Sequence, residues 1–520
     1  MTIRRAILSA LIAVTLLALP IQFVIDPSAQ NMASVCIVVA SALSVLLYMG
    51  WSRALESQPL STFAILGFCV TTQLGALVVQ TVAWTALRSS LYDPLYTFGV
   101  LAFYQGIALS VHIVYRFFSR PDTREAPLFR GLLNWMGLYR TPPCGTLWFM
   151  GCVGLVSFFV SHQIGVVGRI GNGFNFLTWA PFLIPFYLRE EGEAYCNAKR
   201  NKLMLVVYTA AVAILGLGLN AREIVFVGVV TIGLLYFLAG LRSDAPMTRR
   251  TFLRLAALAA ALIAVSGPFS DLATSMAIVR GSRGKISASE MIRSTLRVMR
   301  QPRVIDAYRA ENGPGARYKA YDEHYIANPV IARFVSTKFH DNALHFAKAL
   351  STDDAKARLR DVTIQETWAV LPTPLLDMLG IGIAKEDMDY SMGDYLAYLS
   401  RGLPLGGRKT GSMFAQGIAL MGPLFPIAYA AICLALFWAM NLLTTRKKAT
   451  VSALGMLEIW SYFSAGISAE ALPNILNFLI RGFAQMVLIY VLVFGLARLV
   501  LRTKNPPAEV SDALTWQRPI

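Results

Sequence analysis

The chain has 520 residues, of which 56% are hydrophobic and only 15% charged, and its mean hydropathy is +0.54. A soluble domain carries about a quarter charged residues, so much of this surface is expected to face lipid. The formal net charge of +17 does not point to nucleic acid, because the basic residues sit mainly in short loops between apolar stretches.

A helix needs roughly 20 apolar residues to cross a hydrocarbon core of about 30 Å. Twelve stretches meet or approach that length: 6–25, 33–51, 61–87, 94–117, 144–162, 174–188, 203–219, 223–240, 252–269, 412–442, 451–470 and 475–500. The expected fold is therefore an all-α polytopic membrane protein with about 12 transmembrane helices. Arg4 and Arg5 followed by an apolar run suggest a signal peptide, but no small-residue cleavage site follows, and a retained first helix is expected. The stretches 61–87 and 412–442 exceed one bilayer thickness, which predicts tilt or a partly interfacial segment.

Lys and Arg set the orientation. With the N-terminus inside, short inner segments hold 23 basic residues, against four (Arg88, Arg169, Arg222 and Arg481) in short outer ones. Both termini are thus expected in the cytoplasm. The other 20 basic residues fall in one long segment, about 270–411, together with 16 acids. Long loops cross regardless of charge, so this one is expected outside. The expected organisation is spans 1–9 in 1–269, an outer loop domain in 270–411, spans 10–12 in 412–502 and a cytoplasmic tail in 503–520.

Within the loop, 287–300, 320–349, 353–371 and 386–400 read as helices, broken by Pro302, Gly313-Pro314-Gly315, Pro372 and Pro374. Segment 286–300 is basic and amphipathic. Its Ile286, Ile292, Leu296 and Met299 would touch either the membrane surface or the core of a small folded loop.

Six cysteines lie in apolar spans or inner loops and form no CxxC, so a disulfide framework, a zinc site or a redox site is not expected. The five histidines include no HExxH; His340 and His345 are five apart, a poor spacing for a metal pair on one helix face. No metal and no cofactor is expected. Walker A, GxSxG and dinucleotide glycine patterns are absent from the sequence, so a reaction here would draw its energy from the substrate.

The informative charges are those retained outside. Arg169, Arg222, Arg408, Lys409 and Arg481 sit near glycines or in tight turns, as in Gly218-Leu-Asn-Ala-Arg222 and Gly406-Gly407-Arg408-Lys409. Charge at membrane depth is costly and needs a partner or a task. The guanidinium fork suits phosphate oxygens, so a convergent set would bind a polyanion such as a lipid pyrophosphate. The structural alternative is that each Arg snorkels to headgroups or pairs with Glu223 or Glu470. His324 and His340, each with an acid beside it in sequence (Glu323, Asp341), are candidate general bases, or simply surface histidines on loop helices.

The layout, together with Leu371-Pro-Thr-Pro-Leu-Leu-Asp-Met-Leu379, the stretch Gly407-Arg-Lys-Thr-Gly-Ser-Met-Phe-Ala-Gln416 and Leu-Asn-Ala-Arg222-Glu, resembles the Wzy-type polymerases of O-antigen and related oligosaccharide repeat units, which are similar to O-antigen ligases. Gln416 replaces the acid frequent in that family, and Gly380-Ile-Gly382 replaces its lysine. The resemblance implies a metal-independent glycosyltransferase in a bacterial inner membrane. It would join undecaprenyl-pyrophosphate-linked glycans at the outer leaflet, with a flippase and a chain-length regulator as further partners. Arg222, Arg408, Lys409, Arg481 and Arg169 would hold the pyrophosphate, His340 or His324 would take the acceptor proton, and Trp368, Tyr390 and Tyr395 would stack on sugars. A ligase transferring glycan to a lipid acceptor is the nearest alternative. A transporter would show two similar halves with paired broken helices, and a non-enzymatic assembly protein would show no converging arginines.

Overall fold

The computed structural model describes residues 1–119, 127–161, 168, 171–191, 195–283, 285–312, 321–350, 352–385, 388, 390–445 and 449–501. Among these the regular structure is helical, with only two isolated β-bridges.

Eight helical segments are long and apolar enough to cross a membrane. They are α1 (Ile3–Ile25), α2 (Ala29–Trp51), α3 (Pro59–Val82), α4 (Pro94–Phe118), α5 (Ala198–Gly218), α6 (Arg222–Leu241), and the composite segments Met413–Leu442 and Leu472–Val500. The other four predicted spans have different shapes. Stretch 144–162 holds a 17-residue apolar helix, Cys144–Val160. Stretch 174–188 is a 3₁₀ segment, Asn175–Leu183, running into Ile184–Glu191. Stretch 252–269 lies within the 30-residue helix α7, Arg249–Ile278. Stretch 451–470 forms two short helices, Ala453–Leu457 and Ile459–Ala465.

Local sequence explains the ends. Ser28 caps α2 by accepting from Asn31 N, and Asp93 caps α4 ahead of Pro94, whose missing N–H costs nothing in a first turn. Stretch 412–442 breaks at Gly422, whose φ of +52° separates Met413–Met421 from Phe425–Leu442. The faces sort by solvent. On the last helix Leu488, Leu492, Leu496 and Leu499 are exposed along one stripe, whereas Ile489, Tyr490, Val493, Phe494 and Ala497 are buried. That is the pattern of a helix with lipid on one side and protein on the other. Helix α3 is the most enclosed span, with 78% of its apolar window buried.

The hairpin ends fall into two groups. At one end Ile3 N donates to Ala245 O, Arg4 pairs with Glu56, Arg116 bonds Ser52 O and Arg130 bonds Thr444 O. At the other, Arg88 pairs with Asp26, Tyr325 OH donates to Leu87 O, and Asn220 reaches Met276 O.

The long segment 270–411 folds onto that second end. It carries α8 (Ala288–Met299), α9 (Pro302–Asn312), α10 (Thr337–Lys348), α11 (Asp353–Ala369) and α12 (Met392–Arg401). Residues 287–300 and 353–371 are helical as expected. Stretch 320–349 is irregular over most of 321–336 and helical only from Thr337. In α8 the buried residues are Met291 and Thr295, with Met291 against Asn220, while Leu296 is 40% exposed. Tyr325, Ile326 and Val335 share an apolar cluster with Val35, Ala76 and Phe98 of the spans. Asp341, fully buried, fastens α10: it accepts from Tyr92 N, Asp93 N and the Thr97 hydroxyl and pairs with Lys338 at 3.0 Å.

Candidate functional site

A π-helical turn, Val70–Leu74, interrupts α3. Such a turn leaves carbonyls without their helical donors. Thr71 O accepts from Ser336 N (2.7 Å) and Thr72 O from the Thr337 hydroxyl (2.7 Å). These bonds seat the start of α10 and, with it, Arg333 and His340. From the other side Ser412, the cap of Met413–Met421, meets His340 Nδ1 at 2.8 Å.

Arg222 is placed by the turn before it. Asn220 sits in the left-handed region (φ +47°) and donates to Met276 O at 3.0 Å, so Arg222 becomes the first residue of α6. A cation at a helix N-terminus works against the helix dipole unless an anion joins it.

Above these elements lies a cavity of about 470 Å³. Arg222, Arg280, Arg283, Arg333, His340 and Glu470 line it. Among the described residues, none of the four guanidinium groups makes a hydrogen bond or an ion pair. Four unpaired cations around one cavity repel each other, which is tolerable where an anion is to be held. Desolvation and the neighbouring charges of Arg408 and Arg280 hold the Arg283 guanidinium below its usual range. Trp460 donates to Glu223 Oε1 (3.1 Å) and meets Phe334 edge-on, giving the cavity an aromatic wall.

His340 is 3% exposed, and burial pushes its pKa down to about 4. Its ring is therefore neutral near pH 7. To act as a base through Nε2 it must carry its proton on Nδ1 and donate to Ser412.

Two smaller cavities adjoin. One, of about 310 Å³, shares Arg222, Arg280 and Arg333 and adds Glu323 and His324. His324 Nδ1 lies 2.8 Å from Asp322 Oδ1, a base held by an acid. Burial raises the Asp322 carboxyl, but the side-chain and backbone hydrogen bonds from His324, with the charges of His324 and Lys338, together carry it below its usual range. The acid that holds His324 is thus Asp322, two residues back, while Glu323 accepts from the Tyr321 hydroxyl at 3.0 Å. Asp341, beside His340 in sequence, is fully used in fastening α10.

The other cavity, of about 350 Å³, contains Glu366, Tyr390, Asn474, Asn477 and Arg481, and shares Gly411 and Glu470 with the first. Burial raises the Glu366 carboxyl to about 7. Glu470 lies in the link after Ile459–Ala465, outside any helix. Burial lifts its carboxyl first; Glu223 and Glu323 add to the rise, which Arg333 opposes.

The remaining predicted residues are spread around this system. Arg481 lies in the second cavity, with Nε on Gln485 and Nη1 on Val370 O. Arg408 lines none of the three cavities; its backbone has φ +52° and its N–H donates to Asp394 at 2.7 Å. Lys409 forms a 2.9 Å ion pair with the fully buried Asp394. Burial raises that carboxyl, and the hydrogen bonds from the Lys409 ammonium and the Lys409 and Arg408 backbone N–H groups, with the Lys409 charge, together carry it below its usual range. Tyr390 stacks on Tyr395 at 5.5 Å, and Tyr395 meets Tyr398 in a tilted pair at 6.3 Å. Trp368 is 43% exposed and lines none of the three cavities. Arg169 lies outside the described residues. Gln416 is buried and fully engaged: Nε2 donates to Thr363 and Oε1 accepts from Leu472 N. Among the described residues no group of His, Cys, Asp and Glu is placed to hold a metal ion.

Sequence reasoning passed over Arg280, Arg283 and Arg333. The first two stand in Val-Arg280-Gly-Ser-Arg283-Gly at the end of a span, the same Arg-with-Gly context that singled out Arg169. Arg333, between Ala332 and Phe334, carries no such signal. No protein-family model, curated protein or solved structure matches this chain.

Proposed function

We propose that the chain is a glycosyltransferase of the outer leaflet of a bacterial inner membrane, joining oligosaccharide repeat units carried on undecaprenyl pyrophosphate. The observation that carries this reading is the cavity lined by Arg222, Arg280, Arg283 and Arg333, none of them hydrogen-bonded or ion-paired among the described residues. A pyrophosphate offers enough oxygens for four guanidinium forks. The resemblance of the layout to repeat-unit polymerases supplies the remaining terms.

In this reading the donor's pyrophosphate lies among the four arginines. The acceptor hydroxyl forms a bond to the donor's anomeric carbon, and the bond from that carbon to the phosphate oxygen breaks. Negative charge grows on the leaving pyrophosphate, and fixed cations already aimed at it lower the barrier without reorganising. The reaction needs no nucleotide, because cleavage of the anomeric carbon–phosphate oxygen bond, with the intact pyrophosphate as leaving group, supplies the driving force. Three groups border the arginines with a lone pair for the acceptor's proton: His340, the Asp322-held His324, and Glu470.

A strain lacking the gene, complemented with Arg222→Ala or Arg333→Ala, tests the reading. Loss of long glycan chains at normal membrane levels of the protein is expected. Wild-type chain lengths in both variants would overturn it. Long chains on the undecaprenyl carrier with none on a lipid acceptor in the deletion strain would point to ligation in place of polymerisation.

A further inference from the structure

We infer that the cavity lined by Tyr390 and Glu366 is the subsite for the acceptor's pyranose ring, and that the carboxylate of Glu470 takes the proton from its attacking hydroxyl. This rests on the proposal that the arginine-lined cavity holds the donor's pyrophosphate.

The geometry is that of two chambers with a shared wall. Glu470 and Gly411 are the two residues that line both. Glu470 is the titratable one of the two and stands at the boundary between the chambers. Among the described residues that carboxyl has neither a hydrogen bond nor an ion pair. An acceptor oxygen in the second chamber would reach a donor held in the first across the wall that Glu470 and Gly411 form.

The second chamber has the chemistry of a sugar site. Tyr390 supplies an aromatic face, held in place by its stack on Tyr395 at 5.5 Å and, beyond it, Tyr398. Pyranose C–H faces bury well on such rings. Around it stand the amides of Asn474 and Asn477 and the carboxyl of Glu366, which makes no hydrogen bond of its own among the described residues. Amides and carboxyls of this kind match the alternating donors and acceptors of ring hydroxyls. The third chamber, by contrast, is walled by Arg309, Glu323 and His324 and holds no stacked pair of tyrosines.

The balance is simple. The acceptor O–H bond breaks and its proton goes to the Glu470 carboxylate. The oxygen's electron pair forms the glycosidic bond, and the electron pair of the broken anomeric C–O bond leaves with the pyrophosphate. A carboxyl raised by burial and by neighbouring Glu223 and Glu323 is a better base than an ordinary one.

The test uses the full chain in lipid nanodiscs and two readouts. The first is binding of sugar-free undecaprenyl pyrophosphate; the second is chain growth and its pH dependence. Glu470→Gln should bind the carrier within about twofold of wild type and lose roughly 100-fold or more of transfer. Glu470→Asp should keep measurable transfer with its acidic limb displaced. Tyr390→Ala should retain carrier binding and raise the acceptor concentration needed for half-maximal rate. Wild-type transfer by Glu470→Gln with an unchanged acidic limb would overturn the assignment, as would abolition by His324→Ala alone. If Glu470→Gln also loses carrier binding, its fold is at fault and Glu470→Asp decides: an undisplaced limb there refutes the proposal. Failure of wild type to bind the carrier would refute the pyrophosphate reading itself.

Discussion

The backbone of Glu470 lies against Gly411 so closely that a Cβ on Gly411 would stand 2.6 Å from the Glu470 carbonyl oxygen. This contact forms the wall between the two cavities, and Met413 N bonds Ala469 O just beside it. Gly411→Ala should push the two segments apart. A loss of about 1–3 kcal/mol in stability is expected, with a larger fractional loss of glycan transfer because Glu470 moves. Thermal unfolding and chain-length analysis read the two effects. Unchanged stability would show that the link gives way freely.

The four unpaired arginines predict that function and stability part company. Removing one cation from a mutually repelling set should leave the melting temperature unchanged or raise it, as at other sites where function is held against stability. Arg333→Ala is the cleanest case, because its side chain is exposed to the cavity and makes no hydrogen bond or ion pair among the described residues. A melting temperature that falls by several degrees would indicate a structural bond that the account lacks.

Asp341 predicts the reverse. It is buried beneath four hydrogen-bonded partners, and α10 hangs on it. Asp341→Ala leaves the buried Lys338 ammonium with the Ser90 carbonyl and the Tyr92 ring but no carboxylate, and should cost about 3–5 kcal/mol. Limited proteolysis between residues 321 and 350 should accelerate. A variant as resistant as wild type would contradict the fastening role.

Two groups outside the spans give opposite pH trends. The Glu366 carboxyl, raised from 4.5 to about 7, makes the folded chain bind more protons than the unfolded one across that window. Its contribution to stability therefore falls as pH rises from about 4.5 to 7. His340, lowered from 6.5 to about 4, binds fewer protons when folded. Its contribution rises with pH from about 4 to 6.5 and is lost on acidification. Glu366→Gln should flatten the first trend alone in melting curves run across pH. An unaltered curve would place Glu366 in water.

Eight of the twelve apolar stretches were legible as long helices, because crossing a hydrocarbon core demands long apolar runs. The spans without a long helix were not separable from the others. Stretch 451–470 reads as one apolar run interrupted by Glu458 alone, and a single charge does not announce that Ala453–Leu457 and Ile459–Ala465 are distinct helices meeting at that residue. Arg222 was legible because an Arg in a tight outer turn is conspicuous. Arg333 was not, because its meaning comes from a π turn in α3 that seats residues 336 and 337 far away in sequence. The same distance hid the meeting of Glu470 with Gly411.

The central claim is that four arginines form a pyrophosphate site. Its most direct test is binding of undecaprenyl pyrophosphate to the full chain in nanodiscs, compared between wild type, Arg222→Ala and Arg333→Ala. The account predicts saturable binding to wild type, weakened roughly 10- to 100-fold in each variant, as the loss of a charge-assisted hydrogen bond implies. Equal affinity in all three proteins, or none in wild type, would contradict it.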